Sequence, residues 1–106
     1  SIQRADTDKS SICDAIVTPE PGTLTFPINR QHLSGGAVIS DEQALRSIAT
    51  LFKHFKIVVE PGGAVALAAA LTGQVPSGVD NVVAVASGGN IDSAMFNRAL
   101  DAGAFF

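Results

Sequence analysis

Only one cysteine, Cys13, stands in the 106-residue sequence. No internal disulfide can form, and no second soft ligand is at hand for a zinc site, so no metal site is expected. That usage belongs to a reducing compartment, and a cytoplasmic location is expected. Taken alone, Cys13 reads as a small, partly buried apolar residue. Charge is also scarce, at 16% of residues, with seven Lys and Arg scattered along the chain and a net charge of -3. With no basic stripe, nucleic acid is excluded as a partner. The longest weakly polar run, Ile57 to Leu71, is broken by Glu60-Pro61-Gly62-Gly63, whereas a bilayer span needs roughly 20 apolar residues. No membrane segment is expected. The opening Ser1-Ile2-Gln3-Arg4-Ala5-Asp6 has neither an initiator methionine nor a signal-peptide pattern, and it reads as a cut-out from a longer protein.

What is abundant is apolar surface. Hydrophobic residues make up 46% of the chain, more than a free-standing small domain needs, so part of that surface is expected to meet another domain or subunit. The expected partners are the remainder of the chain's own protein and further copies of it in a homo-oligomer. Residues 1–11 are polar and without period, a linker or frayed end. Residues 12–106 form one structural unit.

Along that unit, helical and strand-like patterns alternate. Ile12 to Val17 is a short strand or extended entry segment, stopped by Thr18-Pro19-Glu20-Pro21-Gly22. Thr25 is placed to cap a helix from about Phe26 to Ser34, with Pro27 in its first turn and Gly35-Gly36 closing it. Ala37-Val38-Ile39 follows as a brief strand. Ser40 and Gln43 then supply a capping box for a helix whose Leu45, Ile48, Ala49, Phe52 and Phe55 make one apolar stripe to lay on a sheet. Lys53, His54 and Lys56 sit at its carbonyl end, where positive charge is favoured, so His54 is read as structural, as is His32. Ile57-Val58-Val59 is a β-branched run, and the small residues from Gly62 to Leu71 predict a closely packed helix. Asn81 to Ala86 predicts a buried parallel strand leading through Ser87-Gly88-Gly89-Asn90 into a helix from about Ile91 to Asp101. The expected class is α/β, a three-layer piece with short parallel strands and covering helices.

In such a sheet, ligands gather beyond the carboxyl ends of the strands, which singles out the turns Ser87-Gly88-Gly89-Asn90 and Glu60-Pro61-Gly62-Gly63. Glycines let main chain approach a ligand, and a serine hydroxyl both donates and accepts. By spacing alone, however, a Gly-Gly pair after a strand fits a plain helix-opening turn as well as a binding turn, and it matches neither the dinucleotide nor the Walker pattern.

Four ordered blocks add a resemblance. Val83-Ala84-Val85-Ala86-Ser87-Gly88-Gly89-Asn90-Ile91-Asp92 resembles the terminal "SGGN" motif of serine and threonine dehydratases, and Val58-Val59-Glu60-Pro61-Gly62-Gly63-Ala64 resembles their "VEP-x-G-A" segment, at the family's separation. Ile12-Cys13-Asp14-Ala15 is similar to "IADG", and Pro21 to Ile28 to "PG-x-LTFPI". The Ser-Gly-Gly-Asn form points to the dehydratase and racemase branch. The resemblance implies the C-terminal part of the large domain of a fold type II pyridoxal-phosphate enzyme.

It implies further that Ser87, Gly88, Gly89, Asn90, Glu60 and Ala15 border pyridoxal 5'-phosphate, with the Ser87 hydroxyl on the pyridine nitrogen. Glu60 reads equally as a carboxylate placed beside a helix N-terminus. The implied activity is β-elimination of a small β-hydroxy amino acid to a 2-oxo acid and ammonia. An amino-acid racemase of the same fold and a non-catalytic α/β module binding an anion or a partner remain as alternatives. The family's Schiff-base lysine and glycine-rich phosphate loop do not occur in these residues, so no catalytic residue is expected here, and the isolated chain should be inactive and not covalently linked to cofactor. Two departures alter the pocket's shape: Ala15 stands for the usual glycine, and Cys13 for an alanine.

Overall fold

A capping box opens the central helix of the computed structural model, which describes residues 1–7 and 11–106. The Ser40 hydroxyl accepts from the Gln43 N–H at 3.2 Å, and Gln43 Oε1 accepts from the Ser40 N–H at 2.9 Å. The first turn of this helix carries Asp41 and Glu42 and its last turn Lys53 and His54, the order a helix dipole favours. It runs Asp41–Phe55 and ends in a left-handed residue, Lys56, at φ 58°. In chain order the helices are α1 (Thr25–His32), α2 (Asp41–Phe55), α3 (Pro61–Leu71) and α4 (Ser93–Ala102), preceded by a single 3-10 turn at Asp14–Ile16.

The core is a three-helix contact. Helix α2 packs against both α3 and α4, and Leu45, Ile48, Leu51, Val59, Ala64 and Ala99 close together between them. Ala64 and Ala68 are fully covered, so α3 lies near its neighbour as its small residues predict. The Phe52 and Phe96 rings meet edge to face, 5.2 Å between centroids. Leu45, Ile48 and Ala49 of the predicted stripe are buried, whereas Phe55 is 65% exposed.

The chain's last residues fold back on α2. Thr50 Oγ1 donates to the Arg46 carbonyl and accepts from the Phe105 N–H, and the Arg46 guanidinium lies over the Phe105 ring at 4.4 Å. Lys53 Nζ donates to the Phe106 oxygen, and His54 Nε2 lies 2.9 Å from it. His54 has the structural place expected of it.

The strands expected at Ile12–Val17, Ala37–Ile39, Ile57–Val59 and Asn81–Ala86 do not form among the described residues. A strand exists only as a ladder with a neighbour, and the one main-chain bond between the last two segments runs from the Glu60 N–H to the Gly88 oxygen. The sheet under α2 is therefore replaced by helices, and Val82, Val83 and Val85 are open rather than buried. The first expected strand is instead the 3-10 turn, tied to α2 through Asp41, whose Oδ1 accepts from Ser11 Oγ and the Ile12 N–H. Thr25 is the first residue of α1 and not its cap, its hydroxyl turned to the Gly22 oxygen. The helix ends at His32, ahead of Gly35-Gly36, and meets no other element, leaving Leu24, Ile28 and Leu33 exposed. The expected linker at 1–11 falls partly on residues 8–10, outside the described residues; before them, the Ala5 N–H donates to the Pro19 oxygen and Arg4 lies 3.7 Å from Glu20.

Candidate functional site: a glycine joint between two turns

Glu60 ends an extended segment and is the N-cap of α3, with Pro61 at the first helical position, where a missing N–H costs nothing. On the other side, Ser87-Gly88-Gly89-Asn90 leads not straight into α4 but through Ile91 to Asp92, whose carboxylate caps the helix by accepting from the Met95 N–H at 2.8 Å. The Met95 N–H at the N-terminus of α4 is thus already taken by a carboxylate.

The two turns touch through glycine. The Glu60 N–H donates to the Gly88 oxygen at 2.9 Å. A Cβ on Gly88 would stand 2.7 Å from Glu60 Oε1, and one on Gly89 would stand 2.7 Å from the Val58 oxygen. The Gly89 contact is with main chain and excludes a side chain there, whereas a side chain at Gly88 would have to displace the Glu60 carboxylate. Glu60, Gly88 and Gly89 are thereby brought together, and Ser87 precedes them on the exposed side, its hydroxyl without a hydrogen-bond partner among the described residues. Asn90 lines a separate small cavity of about 110 Å³ with Asp14, Pro61 and Asp92. Ala15 lies in the adjoining 3-10 turn, whose next residue, Ile16, stands against Gly62.

Two lysines are engaged away from this joint. Lys53 donates to the Phe106 oxygen and Lys56 to the Lys53 oxygen, and Lys9 lies outside the described residues. No group of three or more His, Cys, Asp and Glu gathers to hold a metal ion among the described residues, and no helix is long and apolar enough to cross a membrane.

Cys13 is buried beside an apolar cleft of about 380 Å³ lined by Ile16, Ile39 and Val65. Burial pushes its thiol above the ordinary 9.0; the Ser11 side chain opposes this, and the carboxylates of Asp41 and Asp14 add to it. The folded state therefore holds the thiol proton more tightly than the unfolded one does. The associated stability is intact below pH 9.0 and declines as pH rises from there through the folded value. Because the thiolate is the nucleophile, buried Cys13 should react with a disulfide reagent at pH 8 more slowly than in the urea-unfolded chain. Equal rates would show that the thiol is neither buried nor shifted.

The two turns thus meet at glycine, with the Ser87 hydroxyl on the open edge of the contact. Residues 2–88 match the model of the pyridoxal-phosphate dependent enzyme family, and the chain belongs to that family. L-threonine ammonia-lyase of Geobacter sulfurreducens is 34% identical over 93 residues, covering 88% of this chain and 23% of that protein. Among solved structures, a threonine deaminase from T.th. superposes with a TM-score of 0.76 at 35% identity, covering 86% of this chain and 30% of that one. Serine racemase from Dictyostelium discoideum gives 0.72 at 30% identity, covering 80% and 28%. The chain thus spans less than a third of each of these relatives.

Proposed function

We propose that this chain forms the floor beneath the cofactor ring in a pyridoxal-phosphate-dependent ammonia-lyase that converts serine or threonine to a 2-oxo acid and ammonia. The observation that carries the reading is the glycine joint, which presses Gly88 and Gly89 flat against Val58 and Glu60 while leaving the Ser87 hydroxyl open and unpartnered. A planar aromatic ring fits a surface that no Cβ interrupts. The named activities of the threonine ammonia-lyase and threonine deaminase relatives support the reaction class.

When bound, pyridoxal phosphate draws electrons from the substrate α-carbon and so favours loss of its proton and of the β-hydroxyl. Ser87 donates its hydroxyl to the ring nitrogen and, being neutral, does not hold a proton there as a carboxylate would. Glycines 88 and 89 keep the ring's surroundings free of side chains, Glu60 lines the edge next to Gly88, and Asn90 and Ala15 lie beyond that edge, toward the neighbouring 3-10 turn. The Schiff-base lysine and the phosphate loop come from the rest of the full-length protein, so the 106-residue chain alone is inactive. That remainder also supplies the neighbours that turn residues 57–59 and 81–86 into parallel strands of a layered α/β domain and cover Val82, Val83 and Val85. Residues 12–106 belong to that domain, and residues 1–11 lead into it. The exposed apolar residues are further suited to contact a second copy.

A racemase reading is favoured by the likeness to the Dictyostelium serine racemase. One assay separates the two. The full-length protein, loaded with cofactor and given L-threonine and L-serine, should absorb visible light and release oxo acid and ammonia in equal amounts. D-amino acid without oxo acid would make it a racemase, and absence of both with no visible absorption would sink the cofactor reading and leave a binding module.

A further inference from the structure

Gly63 occupies a place where no side chain fits. A Cβ built on it would stand 2.8 Å from the Gly88 oxygen and 3.0 Å from the Gly88 nitrogen, both main-chain atoms, and 2.9 Å from Val59 Cγ1. Its neighbour Gly62 would meet only the Ile16 side chain, at 3.3 Å, which can yield. The Glu60 N–H donates to the same Gly88 oxygen. The opening turn of α3 therefore grips one residue, Gly88, with a hydrogen bond to its carbonyl and a bare Cα against its nitrogen and oxygen, and Gly88 follows Ser87 directly. The grip is anchored, because Ala64, fully buried, packs in one cluster with Leu45 and Ile48 of α2.

We propose that Gly63 is a positioning residue for Ser87: its missing side chain lets α3 hold the main chain of Gly88, and through it the direction in which the Ser87 hydroxyl meets the cofactor ring nitrogen. This rests on the cofactor-floor reading above. Gly63→Ala forces main chain apart, and a misplacement of about 1 Å in such a site costs on the order of 100-fold in rate.

The test is a double-mutant cycle in the full-length protein, with rates expressed per folded, cofactor-loaded molecule. Gly63→Ala should lower kcat at least about tenfold with a smaller change in KM and weaken cofactor binding to a similar degree. Added to Ser87→Ala, the same substitution should change either quantity by less than about twofold, because the hydroxyl it misplaces is already gone. Ala66→Gly, on the exposed side of α3, loosens the helix without touching Gly88 and should leave kcat within about twofold. Equal losses in both backgrounds, or no loss in the wild-type background, overturn the proposal while leaving the cofactor reading intact.

A second measurement needs no variant. Coupling is reciprocal, so loading the wild-type protein with cofactor should slow hydrogen exchange at the Glu60 amide. Unchanged exchange there overturns the proposal even if Gly63→Ala fails to fold. A full-length protein that takes up no cofactor overturns this inference together with the reading beneath it.

Discussion

Ser87→Ala should lower ammonia release by the full-length protein roughly 10- to 100-fold, the range expected when one hydrogen bond to a ring in a water-poor site is deleted and its acceptor is left unpaired. The prediction follows from position. Ser87 is exposed and its hydroxyl has no partner among the described residues, so removing it damages no internal contact, and the loss falls on whatever the hydroxyl meets. Ser87→Thr retains the donor and should recover most of the rate. Ser87→Asp introduces a carboxylate that holds a proton on the ring nitrogen, so the visible absorption and its pH dependence should change along with the rate. Steady-state turnover on L-threonine and the absorption spectrum read both effects. Wild-type turnover in Ser87→Ala, with an unaltered spectrum, would remove Ser87 from the site.

How much of this was legible in the sequence depended on how local each signal is. The capping box at Ser40 and Gln43 involves atoms three residues apart, and it reads correctly because those residues suffice to form it. The buried face of α2 through Leu45, Ile48 and Ala49 is likewise a periodicity signal. Strands are different. Val82, Val83 and Val85 have every strand preference, but pairing depends on a neighbouring chain segment, and one hydrogen bond between Glu60 and Gly88 is all that the described residues supply. Preference without a ladder leaves extended chain.

The candidate site divides in the same way. The motif blocks name Glu60, Ser87, Gly88 and Gly89 as residues that belong together, and the fold brings Glu60, Gly88 and Gly89 into contact. What the sequence leaves open is which glycine faces what. Gly62 and Gly63 are adjacent and alike in type, yet one looks onto an isoleucine side chain and the other onto main chain, a difference set by the roughly 100° turn per helical residue. Asp92 was hidden for a related reason: a capping aspartate is recognised only once the helix start is known to lie at Ser93 rather than at Ile91.

Ile48→Ala should be the most damaging single truncation in the helical core, lowering stability by about 2–5 kcal/mol, against about 0.5–1.5 kcal/mol for Ile48→Val. Ile48 is fully buried within the cluster that holds Leu45, Leu51, Val59, Ala64 and Ala99, so it touches what joins α2 to α3 and α4 at once. Its neighbours Ala64 and Ala99 have no side chain long enough to fill the hole, and the lost methyl groups become a cavity instead of a collapse. The effect should reach the site as well. Val59 belongs to the same cluster and is followed by Glu60, so loosening the core loosens the turn that grips Gly88. Unfolding midpoints of the cofactor-free full-length protein, with cofactor affinity measured beside them, test both steps. An Ile48→Ala variant no less stable than Ile48→Val would mean that the three-helix contact does not hold the floor in place.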